Sequence, residues 1–301
     1  MWERFKSLQG GVLVVGHGTR LASGVAQLLD LSRQIQRRLP TLSVEAAFLE
    51  LAKPTIFDAM LSLHANGVRR VFVVPILLFE AAHAQTDIPD AVKDAARTLE
   101  ILVFGQSTPL GTHPAALEIS EFRFKQALRC QSSAGCLMAG ACSRADECLA
   151  VVELNPQALS PDSFPSKVGL AMVGRGSSDL AALDHMRCFT KQHVAHSKTK
   201  LDWSQTGFFA GGKPTIDDLL LEAKDSECDI VVVQPHLLFE GELIQQLRSK
   251  VAHWQQVSPL KRWLVPPTLG ADPKLANAFL SLAGESLRES LSKGDIVDGE
   301  A

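Results

Sequence analysis

The chain contains the same succession of short motifs twice. Residues 14–20 (VVGHGTR) recur as residues 172–178 (MVGRGSS), residues 53–56 (KPTI) as 213–216, and residues 77–80 (LLFE) as 237–240. At 301 residues the chain is long enough for two domains of roughly 100–150 residues each. The repeat therefore predicts two similarly folded domains, at residues 1–129 and 167–301, joined by an unrepeated insert and linker at residues 130–166.

Each half alternates short apolar runs with segments of helical periodicity. Such alternation indicates strand–helix–strand units, a parallel sheet and right-handed crossovers. We therefore predict an α/β fold in which each half is a doubly wound, four-stranded parallel sheet flanked by helices. The predicted strands lie at residues 12–15, 44–49, 71–78 and 101–104 in the first half, and at 168–173, 203–209, 230–235 and 263–265 in the second.

Composition excludes several classes of function. Apolar residues make up 46% of the chain and charged residues 21%, and the formal net charge is -3. This balance gives no general attraction to nucleic acid or anionic membranes. The N-terminal ten residues lack the apolar stretch of a signal peptide, and no run approaches the roughly 20 residues that span a bilayer. We therefore expect a cytoplasmic protein that binds neither nucleic acid nor membrane.

Three ionisable residues follow the first three predicted strands. His17 comes after the first strand, Glu50 after the second and His83 in the loop after the third. Ligands of open parallel sheets bind at the carboxyl ends of the strands, so these side chains are expected at one edge. Two imidazoles and a carboxylate are able to bind a divalent first-row metal and to accept protons near pH 7.

The second half replaces all three of these residues. Arg175 stands in the place of His17, Ala210 in the place of Glu50 and Leu243 in the place of His83. A histidine after a strand is often merely structural, and a lone carboxylate often interacts with a helix dipole. Structural roles would be expected in both copies, however. Their joint replacement indicates that the three residues act together, and that the first half carries the chemistry.

Three motifs of the first half resemble those of a known family. They are similar to motifs of the class II chelatases that act on sirohydrochlorin, the CbiX and SirB type. The three motifs are residues 16–20 (GHGTR), residues 48–54 (FLELAKP), and residues 75–78 (PILL) through His83 to residues 87–89 (DIP). The resemblance covers nearly the whole chain, because long members of that family consist of two fused domains. It implies tandem chelatase-like domains, of which the C-terminal one is degenerate.

The resemblance also implies an activity and its residues. His17 and His83 would bind the incoming metal and remove pyrrole protons, assisted by Glu50. The metal substrate would be cobalt or iron, with nickel also compatible with these ligands, in siroheme or cobalamin biosynthesis. Sirohydrochlorin is rich in carboxylates, and the protein is expected to be a monomer that closes its own cleft. The expected substrate-binding residues are Gly16, Gly18, Thr19, Arg20 and Arg175. For Arg175 two interpretations stay open, a contact with a substrate carboxylate or a relic of the duplication with an incidental salt bridge.

Four cysteines in the insert leave two interpretations open. Cys130, Cys136, Cys142 and Cys148 are spaced six residues apart, which matches neither a zinc ribbon nor a common iron–sulfur motif. Four thiolates could still hold zinc or an iron–sulfur cluster. The unmatched spacing favours a reduced segment without metal.

Two other functions compete with the chelatase hypothesis. The first is a histidine phosphatase, in which His17 would be the nucleophile that becomes phosphorylated. Such a histidine is expected to follow an arginine directly, but Gly16 precedes His17, which argues against this function. A non-catalytic protein that binds and delivers tetrapyrrole or metal stays open as the alternative.

The remaining histidines and cysteines are expected to have structural roles. His113 and its mirrored residue Asp272 each precede a proline and are predicted helix caps. His236 is expected to be structural. Cys188 and Cys228 are expected to be small core residues.

Overall fold

The computed structural model describes residues 1–79, 86–129 and 167–298. Residues 80–85, which include His83, and the insert with its four cysteines lie outside the described residues. The first half contains α1 (Trp2–Ser7), β1 (Gly10–Gly16), α2 (Ala22–Arg38), β2 (Ser43–Phe48), α3 (Ile56–Ala65), β3 (Arg70–Pro75), α4 (Ile88–Leu99), β4 (Leu102–Gln106) and α5 (Pro114–Arg129). The second contains β5 (Val168–Gly174), α6 (Leu180–His196), β6 (Trp203–Phe208), α7 (Ile216–Asp225), β7 (Ile230–Pro235), α8 (Glu242–Val257), β8 (Arg262–Leu264) and α9 (Pro273–Asp298).

Two four-stranded parallel sheets confirm the predicted fold class. The strand orders are β2-β1-β3-β4 and β6-β5-β7-β8. All pairings are parallel, with Val14 opposite Ala46 in the first sheet and Met172 opposite Thr206 in the second. The predicted third strand is too long, because β3 ends at Pro75 and the apolar residues that follow belong to a loop.

Helices cover both faces of the two central strands. All seven residues of β1 and all seven of β5 are buried. On one face of the first sheet, Leu13 and Val15 pack with Met60 and Leu63 of α3. Strands buried on both faces read as continuous apolar runs, which is why these two strands are easily recognised in the sequence.

The chain forms two compact units whose boundaries differ from those of the repeat. The first unit comprises Met1–Ala115 and Ala271–Ala301, and the second comprises Ala116–Gly270. Almost all of α5 therefore belongs to the second unit and α9 to the first, whereas the predicted boundaries of 1–129 and 167–301 place each helix with its own half. The difference arises because α9 contacts helix α2 and strands β3 and β4 of the first sheet.

The connection between β2 and α3 is built in the same way in both units. Thr55 caps α3 by accepting from the Asp58 backbone N–H, while the Asp58 side chain accepts from the Thr55 N–H. Thr215 and Asp218 form the same capping box on α7. This reciprocal pairing satisfies backbone groups that the first helical turn leaves exposed. The repeated KPTI motif therefore has a structural explanation.

The repeated leucines after the third strands are also structural. The carbonyl oxygens of Leu77 and Leu78 accept from the backbone N–H groups of Leu110 and Gly111, and those of Leu237 and Leu238 accept equivalently in the second unit. Each loop is thereby fixed to the segment after the fourth strand. Within the described ranges, no helix is both long and apolar enough to cross a membrane.

Candidate active site

The first two strands bring His17 and Glu50 together. Parallel pairing of β1 and β2 continues beyond their ends, because Leu49 N–H donates to the Gly16 carbonyl and Glu50 N–H donates to the His17 carbonyl, at 2.9 and 3.0 Å. The loop then turns back, and the Pro54 carbonyl accepts from the Phe48 N–H. The two residues thus meet at the carboxyl edge of the sheet, where ligands of such folds bind.

The His17 and Glu50 side chains are in direct contact. His17 Nε2 lies 3.1 Å from Glu50 Oε1. The His17 side chain is 23% exposed and the Glu50 side chain 53% exposed, so the pair borders solvent. The Nδ1 atom of His17 is buried. The ring nitrogen beside the carboxylate is therefore Nε2, and the other ring nitrogen is not accessible to solvent.

Gly18 allows the two loops to approach each other. Its φ is 107°, and a Cβ at this position would overlap the Glu50 carbonyl oxygen. Gly176 has φ 84° and faces the Ala210 carbonyl oxygen equally closely. The second half keeps this close approach of the two loops although it lacks the His17–Glu50 pair. Loop packing therefore explains why Gly18 is a glycine. Contact of Gly18 with a substrate remains a prediction.

Gly16 and Thr19 also have local structural roles. A Cβ at Gly16 would lie 2.7 Å from Leu28 Cδ2, so the missing side chain lets α2 pack on β1. Thr19 Oγ1 accepts from the Leu21 N–H at the start of α2, as Ser177 Oγ accepts from the Asp179 N–H in the second unit. Arg20 is exposed next to this turn. Substrate contacts of these residues stay predictions.

The second unit repeats the backbone of the site without its pair of side chains. Phe209 N–H donates to the Gly174 carbonyl and Ala210 N–H to the Arg175 carbonyl, at 3.1 and 3.2 Å. Arg175 therefore occupies the place of His17 and is exposed, opposite an alanine. This unit retains the scaffold of the loop but not the imidazole–carboxylate contact.

The third predicted member of the site is His83. It lies outside the described residues, so its position relative to His17 and Glu50 stays a prediction. Among residues 1–79, 86–129 and 167–298, no three His, Cys, Asp or Glu side chains are grouped so as to hold a metal ion.

Comparison with known proteins identifies the family. The CbiX family model matches residues 11–127 and again residues 169–286. The chain belongs to the CbiX family. The two matched segments coincide with the two copies of the repeat, so this CbiX-family chain contains the family's domain twice.

Characterised proteins similar to this CbiX-family chain are chelatases. A sirohydrochlorin cobaltochelatase of Priestia megaterium is 28% identical over 92% of this chain and 79% of its own length. A sirohydrochlorin ferrochelatase of the same organism is 25% identical over 80% of this chain and 77% of its own length. SirB from Bacillus subtilis with Fe³⁺ has the same fold, with a TM-score of 0.68 at 21% identity, over 95% of this chain and 97% of SirB.

The structure confirms both predicted helix caps, but it confirms a core position for only one of the two cysteines. His113 Nδ1 accepts from the Ala115 N–H and Asp272 Oδ1 accepts from the Lys274 N–H. Cys228 is buried, as expected. The prediction for Cys188 is wrong, because this residue lies on the exposed face of α6.

His236 is a buried structural residue of the second unit. Its ring stacks on Phe189 with centroids 3.8 Å apart, and burial followed by the nearby His193 lowers its pKa to about 3. Burial also lowers the pKa of His193, which lies 3.7 Å from Glu121. The sequence indicates in part that position 236 is buried, since the first half has the apolar Ile76 in the place of His236.

Proposed function

We propose that this protein inserts cobalt or iron into sirohydrochlorin, with the working site in the first unit. The observation that carries the proposal is the contact between His17 Nε2 and Glu50 Oε1 at the carboxyl edge of a CbiX-family domain. The similar cobaltochelatase and ferrochelatase support the reaction and its substrate. We extend the site to His83, which the sequence predicts in the loop after β3.

The geometry suits transient binding of a metal ion. Two donor atoms 3.1 Å apart can bind one ion, since metal–ligand bonds of about 2.1 Å to each would enclose roughly a right angle. Few protein ligands at a solvent-exposed site favour release of the ion, unlike the closed cage of a structural site. Nε2 and Oε1 can each bind a metal ion only in the deprotonated form, so acidification is expected to weaken metal binding.

The same pair is suited to receive protons from the substrate. Insertion of a divalent ion removes two protons from pyrrole nitrogens. His17 Nε2 would accept one as the metal leaves it, and the adjacent carboxylate would stabilise the resulting imidazolium. His83 would accept the second. Arg20 and Arg175 are proposed contacts for substrate carboxylates, because a guanidinium binds a carboxylate through two parallel hydrogen bonds.

The test is anaerobic metal insertion, followed by absorbance, with ferrous and cobaltous ions compared side by side. His17→Ala is expected to lower the rate at least about a hundredfold, which is the contribution typical of a general base. His64→Ala is the control, since His64 lies at the far end of α3 beside Arg69. Equal rates for the wild type and His17→Ala, with circular dichroism unchanged, would overturn the assignment of the site.

A delivery protein would give a different result in this assay. It would bind sirohydrochlorin or metal stoichiometrically and would show no turnover. Nickel insertion, a monomeric state and a cytoplasmic location stay predictions from the sequence, as does the reduced, metal-free state favoured for the four insert cysteines.

A further inference from the structure

Leu51 adopts a backbone conformation that is unfavourable for leucine. Its φ is 63°, in the left-handed region, where a side chain costs about 1–2 kcal/mol. Ala52 N–H donates to the Glu50 carbonyl at 2.8 Å, so Leu51 is the central residue of a three-residue turn. Turns of this kind with a positive central φ are rare and strained. The turn directly follows the candidate catalytic Glu50.

Leu51 does not recover this cost by burial. The residue is 47% exposed, among the larger exposed fractions of the apolar side chains that the structure describes. A leucine contributes to stability mainly when its side chain is removed from water. Folding alone therefore does not explain an apolar, branched side chain at this position.

The second unit has glycine at the corresponding position. Gly211 has φ 67°, close to the 63° of Leu51. A Cβ at Gly211 would overlap the Ser177 carbonyl oxygen, so glycine is required there. The first unit accommodates a side chain at the same point of the turn, beside the His17–Glu50 pair. The unit with the pair thus has a strained, exposed leucine, and the unit without the pair has none.

We propose that Leu51 is a substrate-binding residue whose side chain contacts the apolar face of the tetrapyrrole. The inference rests on the proposed function of the site. A tetrapyrrole presents a flat apolar ring with carboxylates at its periphery, and His17 and Glu50 provide only polar contacts. A leucine anchored next to Glu50 would hold the ring over these groups. Strained residues of this kind concentrate at ligand-binding sites.

Three substitutions distinguish the effect of the Leu51 side chain from the effect of the strained backbone of the turn. Leu51→Gly relieves the strain and removes the contact. Leu51→Asn tolerates a positive φ and is polar, whereas Leu51→Met restores an apolar side chain. We expect KM for sirohydrochlorin to rise at least about fivefold in the Gly and Asn variants, with kcat within twofold of the wild type and thermal stability unchanged or higher. Leu51→Met is expected to retain a KM near that of the wild type.

A control variant and a binding measurement complete the test of Leu51. Leu102→Asn, an exposed leucine at the start of β4, is the matched control and should leave KM unchanged. Titration of metal-free sirohydrochlorin measures binding without turnover. A wild-type KM in the Gly and Asn variants, with His17→Ala inactive, would overturn the role of Leu51 alone. A wild type that binds the tetrapyrrole but never inserts metal would instead overturn the proposed function, and the titration would still test Leu51.

Discussion

At the scale of single residues, the loops that carry His17 and Arg175 share their backbone hydrogen bonds and differ in their side chains. Gly18 and Gly176 face the carbonyl oxygens of Glu50 and Ala210 in the same way. Only the first unit adds an imidazole and a carboxylate to this arrangement. The division of labour suggested by the replacement of His17 by Arg175 stays a prediction, which the contact of His17 with Glu50 supports.

Substitution of Gly18 tests how closely the site depends on this backbone. In Gly18→Ala, the new Cβ would push the Glu50 backbone away from His17, at a cost of at least about 2 kcal/mol in the free energy of unfolding. We expect a similar loss of stability in Gly176→Ala, which disturbs the loop that lacks the pair. Denaturant unfolding and insertion rates at a temperature where both variants are folded provide the comparison. A larger loss of activity in Gly18→Ala is expected, and equal losses would contradict a site confined to the first unit.

At the scale of elements, the sequence predicts much of the fold and part of the site. The fully buried strands β1 and β5 are visible as continuous apolar runs, and the repeat pairs His17 with Arg175 and Glu50 with Ala210. The direct contact of His17 with Glu50 could not be predicted, since it depends on how β1 and β2 are aligned. The left-handed turn at Leu51 could not be predicted either, because leucine carries no signal for that conformation.

The two capping boxes provide a matched pair of tests at this scale. Thr55→Ala and Thr215→Ala each remove a side chain that accepts a hydrogen bond from the first turn of a helix. Loss of such a cap costs about 1 kcal/mol. We expect both variants to be destabilised by that amount in denaturant unfolding. Only Thr55→Ala should also slow metal insertion, because α3 holds the loop that carries Glu50. Slower insertion in Thr215→Ala would argue against this localisation.

At the scale of the whole molecule, each compact unit contains the last helix of the opposite half. Gln34 Nε2 donates to the Ala271 carbonyl at 2.7 Å, and Arg38 Nε donates to Asn277 Oδ1 at 2.6 Å, which ties α2 to the start of α9. Phe279 and Leu287 of α9 are fully buried. The sequence predicts a helix from Pro273 but does not indicate which sheet this helix covers.

Removal of α9 should therefore damage the first unit. In a chain ending at Asp272, we expect faster hydrogen exchange in β1 and β3 than in the full-length protein, together with loss of metal insertion. Exchange in β5 and β7 should change little, because these strands belong to the other unit. Faster exchange confined to β5 and β7 would show that α9 supports its own half.

Acidity should destabilise the molecule through the second unit. The pKa of His236 is about 3 in the folded protein, against an ordinary value near 6.5, because the ring is fully buried and lies near His193. The unfolded chain therefore binds more protons between these two values, and the stability that His236 contributes is complete above pH 6.5 and lost as the pH falls toward 3. From this residue alone, about 2 kcal/mol should disappear between pH 7.5 and pH 5.

The groups that face His236 and His193 set the size of the effect. Burial lowers the pKa of His193, with smaller contributions in the same direction from His196 and Lys125, whereas Glu121 and the Ser120 backbone favour the charged form. The lowered pKa of His193 acts on stability in the same direction as that of His236. His236→Ile, which copies Ile76 of the first unit, should reduce the loss of unfolding free energy between pH 7.5 and pH 5 by about 2 kcal/mol. His253→Ala, at an exposed position on α8, should leave it unchanged. Urea unfolding at both pH values measures the difference, and an identical loss in His236→Ile and the wild type would show that His236 does not take up a proton on unfolding.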